Sequence, residues 1–393
     1  MTAFKERTRT LIEVARERLV KLSHRIHANP ELAFEEERAA AWVAGALDTG
    51  GLRVEPGICD LPTAFVATAG SGPLHVAICA EYDALPDIGH ACGHNVIAAA
   101  AVGAGLALAQ VADDLGITVQ VFGTPAEEGG GGKILMLERG AFDGVHAAMM
   151  VHPYPKELAG ARCLAVSHVD VHYRGKSAHA AAYPELGINA ADALTVAQVA
   201  VGLLRQHIDS SDRIHGIVIN GGYAPNIVPD HTIGKWYMRS QTMADLAKLE
   251  PRVRRCFEAG AVATGCQIEI VPRSPLYSEM RADRELGALY QGNAEALGRV
   301  FARLSREEQD HTAISTDMAN VSLAIPTIHP MLGIDSLPAV NHQAEFAAHC
   351  ITPVADQAIL DGATAMAWTV IDAATKPLVR ERLLAGRRRE AAS

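Results

Sequence analysis

Residues 74–113 read LHVAICAEYDALPDIGHACGHNVIAAAAVGAGLALAQVAD. The opening LHVAICAEY is a short, mostly apolar run of strand length. The closing NVIAAAAVGAGLALAQVAD is a long proline-free run of Ala, Val and Leu, which predicts a helix. Working outward, ITVQVFGTP (117–125) predicts a strand, GGKILMLERG (131–140) a helix and HAAMMVHP (146–153) a strand. Strands alternating with helices imply a mostly parallel sheet covered on both faces. Upstream, residues 4–28 have helical periodicity with Leu11, Val14, Leu19 and Leu22 on one side, and Asn29-Pro30 should end that helix. A second helix is expected from Glu35 to Leu47, ended by Gly50-Gly51.

The rhythm changes near Ser167. VDVHYRG alternates like a half-exposed strand, and a helix is expected from Asn189 to His207. RIHGIVING and HTIGKWYMRS then read as two strands, Ala244 to Thr264 as a helix and QIEIVP as a strand. This β-α-β-β-α-β order is that of a ferredoxin-like domain. The expected architecture is two-domain α/β. Residues 1–166 and 277–393 form a mostly parallel-sheet catalytic domain, and 167–276 form an inserted unit. The second part resumes with helices between Glu285 and Leu304 and closes with one from Ala355 to Ala374.

Composition narrows the function. The chain has 393 residues, 49 % hydrophobic and 20 % charged, with a net charge of −10, a balance that argues against nucleic-acid and anionic-membrane partners. The strongly basic run Arg387, Arg388 and Arg389 is expected to be a solvated end. The start, MTAFKERTRT, does not read as a secretory leader. The seven cysteines have no framework spacing, so reduced thiols and a cytoplasmic setting are expected. The apolar run Val96 to Ala112 approaches membrane-span length, but its Ala and Gly content points to a buried helix.

The chemistry gathers where strands end. GHACGHN (89–95) follows the first strand, and Cys92 and His94 offer a thiolate and an imidazole, the ligand types zinc-like ions prefer. The next strand ends in TPAEEGGGG, with the adjacent carboxylates Glu127 and Glu128 at its tip. Burying both is costly without nearby positive charge. One could ligate while its neighbour holds a water. The following strand ends at His152, and in open α/β sheets such ends converge on one ligand-binding edge. Asp83 also follows a strand and is placed to orient a metal-bound histidine. His342, in AVNHQAEF, is a candidate ligand from the second half of the chain.

The stretches EYDALPDIGHACGHN, GTPAEEGGGGK, VHP, GKSAHAAAYPELGINA, GGYAPNIVPD, STDMANVS and NHQAEF span nearly the whole chain. In these the sequence resembles the M20 family of metallopeptidases and amidohydrolases. Within it, the sequence is similar to the branch of aminobenzoyl-glutamate hydrolases and β-alanyl-lysine dipeptidases. It differs from the wider family in carrying Glu81-Tyr82-Asp83 where most dinuclear members have H-x-D. It also has Asn95 where the auxin-conjugate and hippurate hydrolases have Asp.

The resemblance implies a metal-dependent hydrolase of an amide or peptide bond in a small carboxylate-bearing substrate. Two divalent ions per subunit are implied, zinc first, with manganese, cobalt or nickel as alternatives. Cys92 would bridge them, and His94, Glu128, His152 and His342 would be the other protein ligands. Glu127 would be the general base. His179, on the inserted unit, would stabilise the oxyanion in a partner subunit's site, and Asn226 and Arg239 would hold the substrate carboxylate. The inserted unit would serve as lid and dimerisation domain of a homodimer. The alternatives are an N-acyl-amino-acid deacylase with the same centre, or an inactive metal-binding scaffold of the fold.

Overall fold

The computed structural model describes residues 2–305, 308 and 313–386, so the run Arg387–Arg389 lies outside the described residues. The chain divides into two compact units, Met1–Arg162 with Met280–Ser393, and Cys163–Glu279.

Helix α1 (Thr2–His27) buries Ile12, Ala15, Leu19, Leu22 and Ile26, the three-and-four spacing of one helical face. Val14, expected on that side, is 75 % exposed. Two residues past Ile12 the helix has turned by about 200°, so the side chain faces water. After α2 (Glu37–Thr49) come β1 (Arg53–Pro56), β2 (Phe65–Ala69), β3 (Leu74–Ala80), α3 (His94–Ala109) and α4 (Ala112–Leu115). Then follow β4 (Ile117–Gly123), α5 (Gly132–Glu138), β5 (Ala147–Met149) and β6 (His152–Tyr154).

The second unit runs β7 (Ala165–Arg174), α6 (Ala190–Leu204), β8 (Arg213–Asn220), β9 (His231–Ser240), α7 (Met243–Thr264) and β10 (Gln267–Pro272). Its four strands pair antiparallel in the order β10-β7-β9-β8. Alternate residues of β7 (Ala165, Val169, Val171, Tyr173) join Leu194, Ala197 and Val201 of α6 and Leu249, Val253 and Phe257 of α7 in a separate core. The period of two puts His168 and His172 of β7 and Lys235, Tyr237 and Arg239 of β9 on the other face.

The first unit resumes with α8 (Arg284–Ala296), α9 (Met318–Ala324), β11 (Thr327–Ile328), β12 (Met331–Gly333), α10 (Ala344–His349), α11 (Pro353–Thr375) and α12 (Pro377–Leu384). The helical stretch expected to reach Leu304 stops at Ala296, and Gly298, at φ +93°, turns the chain out of helical geometry. The run HAAMMVHP is two strands rather than one. β5 lies beside β3 in the large sheet, while β6 pairs with β12.

The large sheet has the order β1-β2-β4-β3-β5-β11. β3 pairs parallel with β4 and β5, and β5 with β11; β1 and β2 form an antiparallel edge. Sequence reading did not find β1, a mostly exposed four-residue strand without apolar alternation. One sheet face packs under α1, α3 and α11, and the other under α5 and α9. All of α3 except Leu106 and Ala109 is buried, as an all-round apolar helix must be. Among the described residues no helix is long and apolar enough to cross a membrane.

Small residues let α3 approach the sheet. A Cβ on Gly105 would lie 2.4 Å from Val121 Cγ2. Gly105→Val should therefore lower the unfolding free energy by about 1–3 kcal/mol through overpacking. Gly45→Ala in α2, where no atom lies within 4 Å of the new Cβ, should raise it by up to about 1 kcal/mol. Denaturant midpoints check both, and an unchanged midpoint for Gly105→Val contradicts this packing.

Candidate metal centre

The carboxyl ends of β3 and β4 deliver most of the site. The chain leaves β3 through Glu81, Tyr82 and Asp83, loops back at Cys92, and enters α3 at His94. Gly93 makes this return possible. Its φ is +84°, and a Cβ there would lie 2.9 Å from Pro153 Cβ and 3.1 Å from Cys350 Sγ. The loop after β4 presents Glu127 and Glu128, β6 begins at His152, and His342 precedes α10. The His342 amide donates to the Ala91 carbonyl at 2.9 Å, tying the late loop to the early one.

These side chains form two donor trios that share one thiol. Cys92, His94 and His152 offer ligand atoms within 4.8 Å of one another, and so do Cys92, Glu128 and His342. Cys92 Sγ lies 3.4 Å from His152 Nε2, and Glu128 Oε2 lies 3.5 Å from His342 Nε2. His94 Nδ1 pairs with Asp83 Oδ1 at 2.8 Å, and the other Asp83 oxygen accepts the Glu128 amide at 2.9 Å. Asp83 thus joins the loops that follow β3 and β4. It also leaves His94 Nε2 facing the centre, buried and without a hydrogen-bond partner, as is Glu128 Oε1. His152 Nδ1 is 2.9 Å from the Pro153 carbonyl, so its Nε2 faces Cys92. A thiol, three imidazoles and a carboxylate, two of them with buried atoms that have no hydrogen-bond partner, are a donor set that fits divalent metal ions.

The electrostatics ask for positive charge. Burial, then the charges of Glu81, Glu128 and Asp317, push the Glu127 carboxyl well above the usual carboxylate range. Burial likewise raises Glu128, with His94 and His342 opposing. Burial next to His329 drives His152 down to about 3, leaving it the neutral imidazole a metal needs. For Asp83 burial opposes ionisation, but His94 holds its pKa below the ordinary value.

Sequence reading missed the layer behind Glu127. Lys133 is fully buried, with its Nζ 2.5 Å from Glu81 Oε1 and 2.7 Å from Asp317 Oδ1. Its amide donates to Asp317 Oδ2 at 2.8 Å. Glu81, Glu127 and Asp317 also satisfy a metal-cluster spacing, but the Lys133 ammonium already supplies a cation to two of them. Glu81 and Asp317 lay inside motifs quoted from the sequence. A single buried lysine in the first turn of α5 gives no periodic signal, so nothing marked them as its partners.

On the second unit, His179 and Asn226 are exposed and adjacent. The Ala180 amide donates to the Asn226 carbonyl at 3.0 Å. His179 Nδ1 accepts from the Ala181 and Ala182 amides at 3.2 and 3.1 Å, which places the proton on Nε2. Arg239 sits toward the far end of β9, with its Nε 3.3 Å from His215 Nε2. Eight residues of strand separate it from His231, about 26 Å at the usual rise. The structure joins His179 with Asn226 and places Arg239 near the end of β9 away from His231.

Lys133→Met should cost about 3–5 kcal/mol, because it leaves Glu81 and Asp317 buried without their cation. Chemical denaturation checks this, and a loss under about 1 kcal/mol contradicts the network. Residues 77–367 match peptidase family M20/M25/M40. A mouse (Mus musculus) Xaa-Arg dipeptidase is 39 % identical over 96 % of this chain and 90 % of its own length. A p-aminobenzoyl-glutamate hydrolase chain of Escherichia coli is 34 % identical over 66 % of this chain and 58 % of its own. The crystal structure of a dinuclear metal binding M20 peptidase from Bacillus subtilis superposes with a TM-score of 0.63 at 22 % identity, covering 92 % of this chain and 99 % of that one. The chain belongs to peptidase family M20/M25/M40 and is a hydrolase of amide or peptide bonds.

Proposed function

We propose that this enzyme is a metal-dependent dipeptidase that cleaves the amide bond of a small, carboxylate-bearing substrate. The observation that carries the reading is the pair of donor trios sharing Cys92, with His94 Nε2 and Glu128 Oε1 buried without a hydrogen-bond partner and 3.9 Å apart. Cys92, His94 and His152 would hold one divalent ion, and Cys92, Glu128 and His342 the other. The thiolate favours zinc. Bound ions would polarise the scissile carbonyl and acidify a water beside it. Asp83 keeps His94 in the tautomer whose Nε2 faces the centre. Glu127, next to the ligand Glu128 but assigned no metal, takes a proton from the attacking water and returns it to the leaving amine. The full-length similarity to an Xaa-Arg dipeptidase supports a dipeptide substrate over aminobenzoyl-glutamate.

The second unit is proposed as a ferredoxin-like lid and dimerisation domain, inserted at about 167–276. Among the described residues its edge strand β8 pairs with β9 alone and exposes Ile217, Val218 and Ile219, while α6 exposes Val199 and Leu203. An apolar edge of this kind is buried economically by a second copy across a twofold axis. The place of Arg239 near the end of β9 away from His231 supports the same assembly. A small substrate held by all three would take Arg239 from one copy and His179 with Asn226 from the other. His179 would then present Nε2–H to the oxyanion.

Glu127→Gln should retain the metal content of the wild type and lose about 10²–10⁴-fold in kcat on alanyl-arginine. Near-normal kcat reassigns the base. A parallel panel with aminobenzoyl-glutamate and N-acyl amino acids decides the substrate class. Refolding His179→Ala together with Glu127→Ala tests the partner-site reading. Half of randomly paired dimers are mixed, and each mixed dimer has one complete site, so about a quarter of wild-type activity should return. Mixed dimers seen by mass spectrometry without recovered activity contradict a role for His179 across the interface.

A further inference from the structure

Ala126, the residue before Glu127, has φ +58°. A residue with a Cβ keeps that conformation only when its surroundings hold it there. Its carbonyl accepts the Gly130 and Gly131 amides at 3.0 and 2.8 Å. Its own amide donates to Glu36 Oε1 at 2.8 Å, a contact between residues 90 positions apart. Glu36 lies just before α2 and is 0 % exposed. Its second oxygen accepts the Thr63 hydroxyl at 3.1 Å, and the Thr63 carbonyl accepts the hydroxyl of buried Tyr82, just past β3. A chain of buried hydrogen bonds thus runs from the end of β3 through Thr63 and Glu36 to the backbone that carries Glu127.

We infer that Glu36 is a positioning residue: its carboxylate clamps the Ala126 amide and so holds the strained turn that aims Glu127 into the site. The inference rests on the reading of Glu127 as general base. A residue serving only to fill the core would not need a carboxylate, whose burial is costly. Burial and the nearby Asp83 push the Glu36 carboxyl up to about 7. What the position requires is an acceptor oxygen at the right reach, since the Ala126 N–H and the Thr63 hydroxyl both donate to it.

Two substitutions in the metal-loaded, full-length protein separate reach from charge. Glu36→Gln keeps an acceptor at the same length without the charge. Glu36→Asp keeps the charge but withdraws the oxygens by about 1.5 Å. Hydrogen–deuterium exchange of segment 124–132 and kcat on alanyl-arginine are the readouts. The expected result for Glu36→Asp is at least tenfold faster exchange in that segment. Its kcat should fall about 10²-fold, with KM and metal content unchanged. Glu36→Gln should track the wild type in exchange and keep most of its kcat. Glu36→Gln falling as far as Glu36→Asp makes charge the requirement and overturns the clamp, as does wild-type exchange in Glu36→Asp. If Glu36→Asp does not fold, Thr63→Val removes the second anchor while leaving the carboxylate. Several-fold faster exchange in the segment is then expected, and wild-type exchange overturns the inference. Faster exchange in Glu36→Asp beside near-normal kcat in Glu127→Gln would leave the clamp standing and remove only the base assignment.

Discussion

Buried carboxylates repel one another, and the carboxyl edge of the large sheet holds Glu81, Asp83, Glu127, Glu128 and Asp317 together. Such a group survives folding only if cations or hydrogen-bond donors are built in beside it. Lys133 meets part of the need, spanning Glu81 and Asp317 from the first turn of α5. His94 meets another part through Asp83. What remains falls on Glu127 and Glu128, whose ionisation burial resists. The proposed divalent ions would supply the missing charge at the point where the two donor trios meet on Cys92.

That edge can be dense because the scaffold around it is rigid. α3 starts inside the site at His94 and then packs as an almost wholly buried rod between α1, α11 and the sheet. Its Ala and Gly side chains set a short helix-to-sheet distance, so His94 has little freedom to shift. The loop after β4 is less regular. Ala126 has positive φ, and Gly130–Gly132 fold back on its carbonyl. There and at the start of α5, the Ala126, Glu128 and Lys133 amides donate to the carboxylates of Glu36, Asp83 and Asp317 in place of the regular ladder of a strand or helix.

The second unit solves a different problem. Two helices cover one face of its four-stranded sheet, and the other face carries polar and aromatic side chains, among them the stacked pair His168 and Tyr237 with centroids 3.9 Å apart. Its edge strand β8 keeps apolar side chains in the open. A chain that leaves a flat apolar edge uncovered invites another strand, and this is the physical basis for the proposed twofold assembly.

Much was legible in the sequence alone. The alternation of apolar strand runs with an Ala-rich helix gave the parallel core, because the periods of two and 3.6 residues are set by local backbone geometry. The residue types Cys92, His94, Glu127 and Glu128 stood past strand ends, where parallel sheets place their ligands, while His152, expected at a strand end, opens β6 just past β5. Other features had no local signature. The break between β5 and β6 follows from pairing with β12, about 180 residues later in the chain. Lys133 finds Asp317 184 positions away and Glu36 finds Ala126 at 90, so neither partnership repeats with any period a window of sequence can show. Sequence determined which elements form and which ligand-type residues lie at their ends, because those depend on neighbours along the chain. Tertiary structure decided which buried carboxylate meets which cation or donor, because that depends on groups brought together only when the sheet closes.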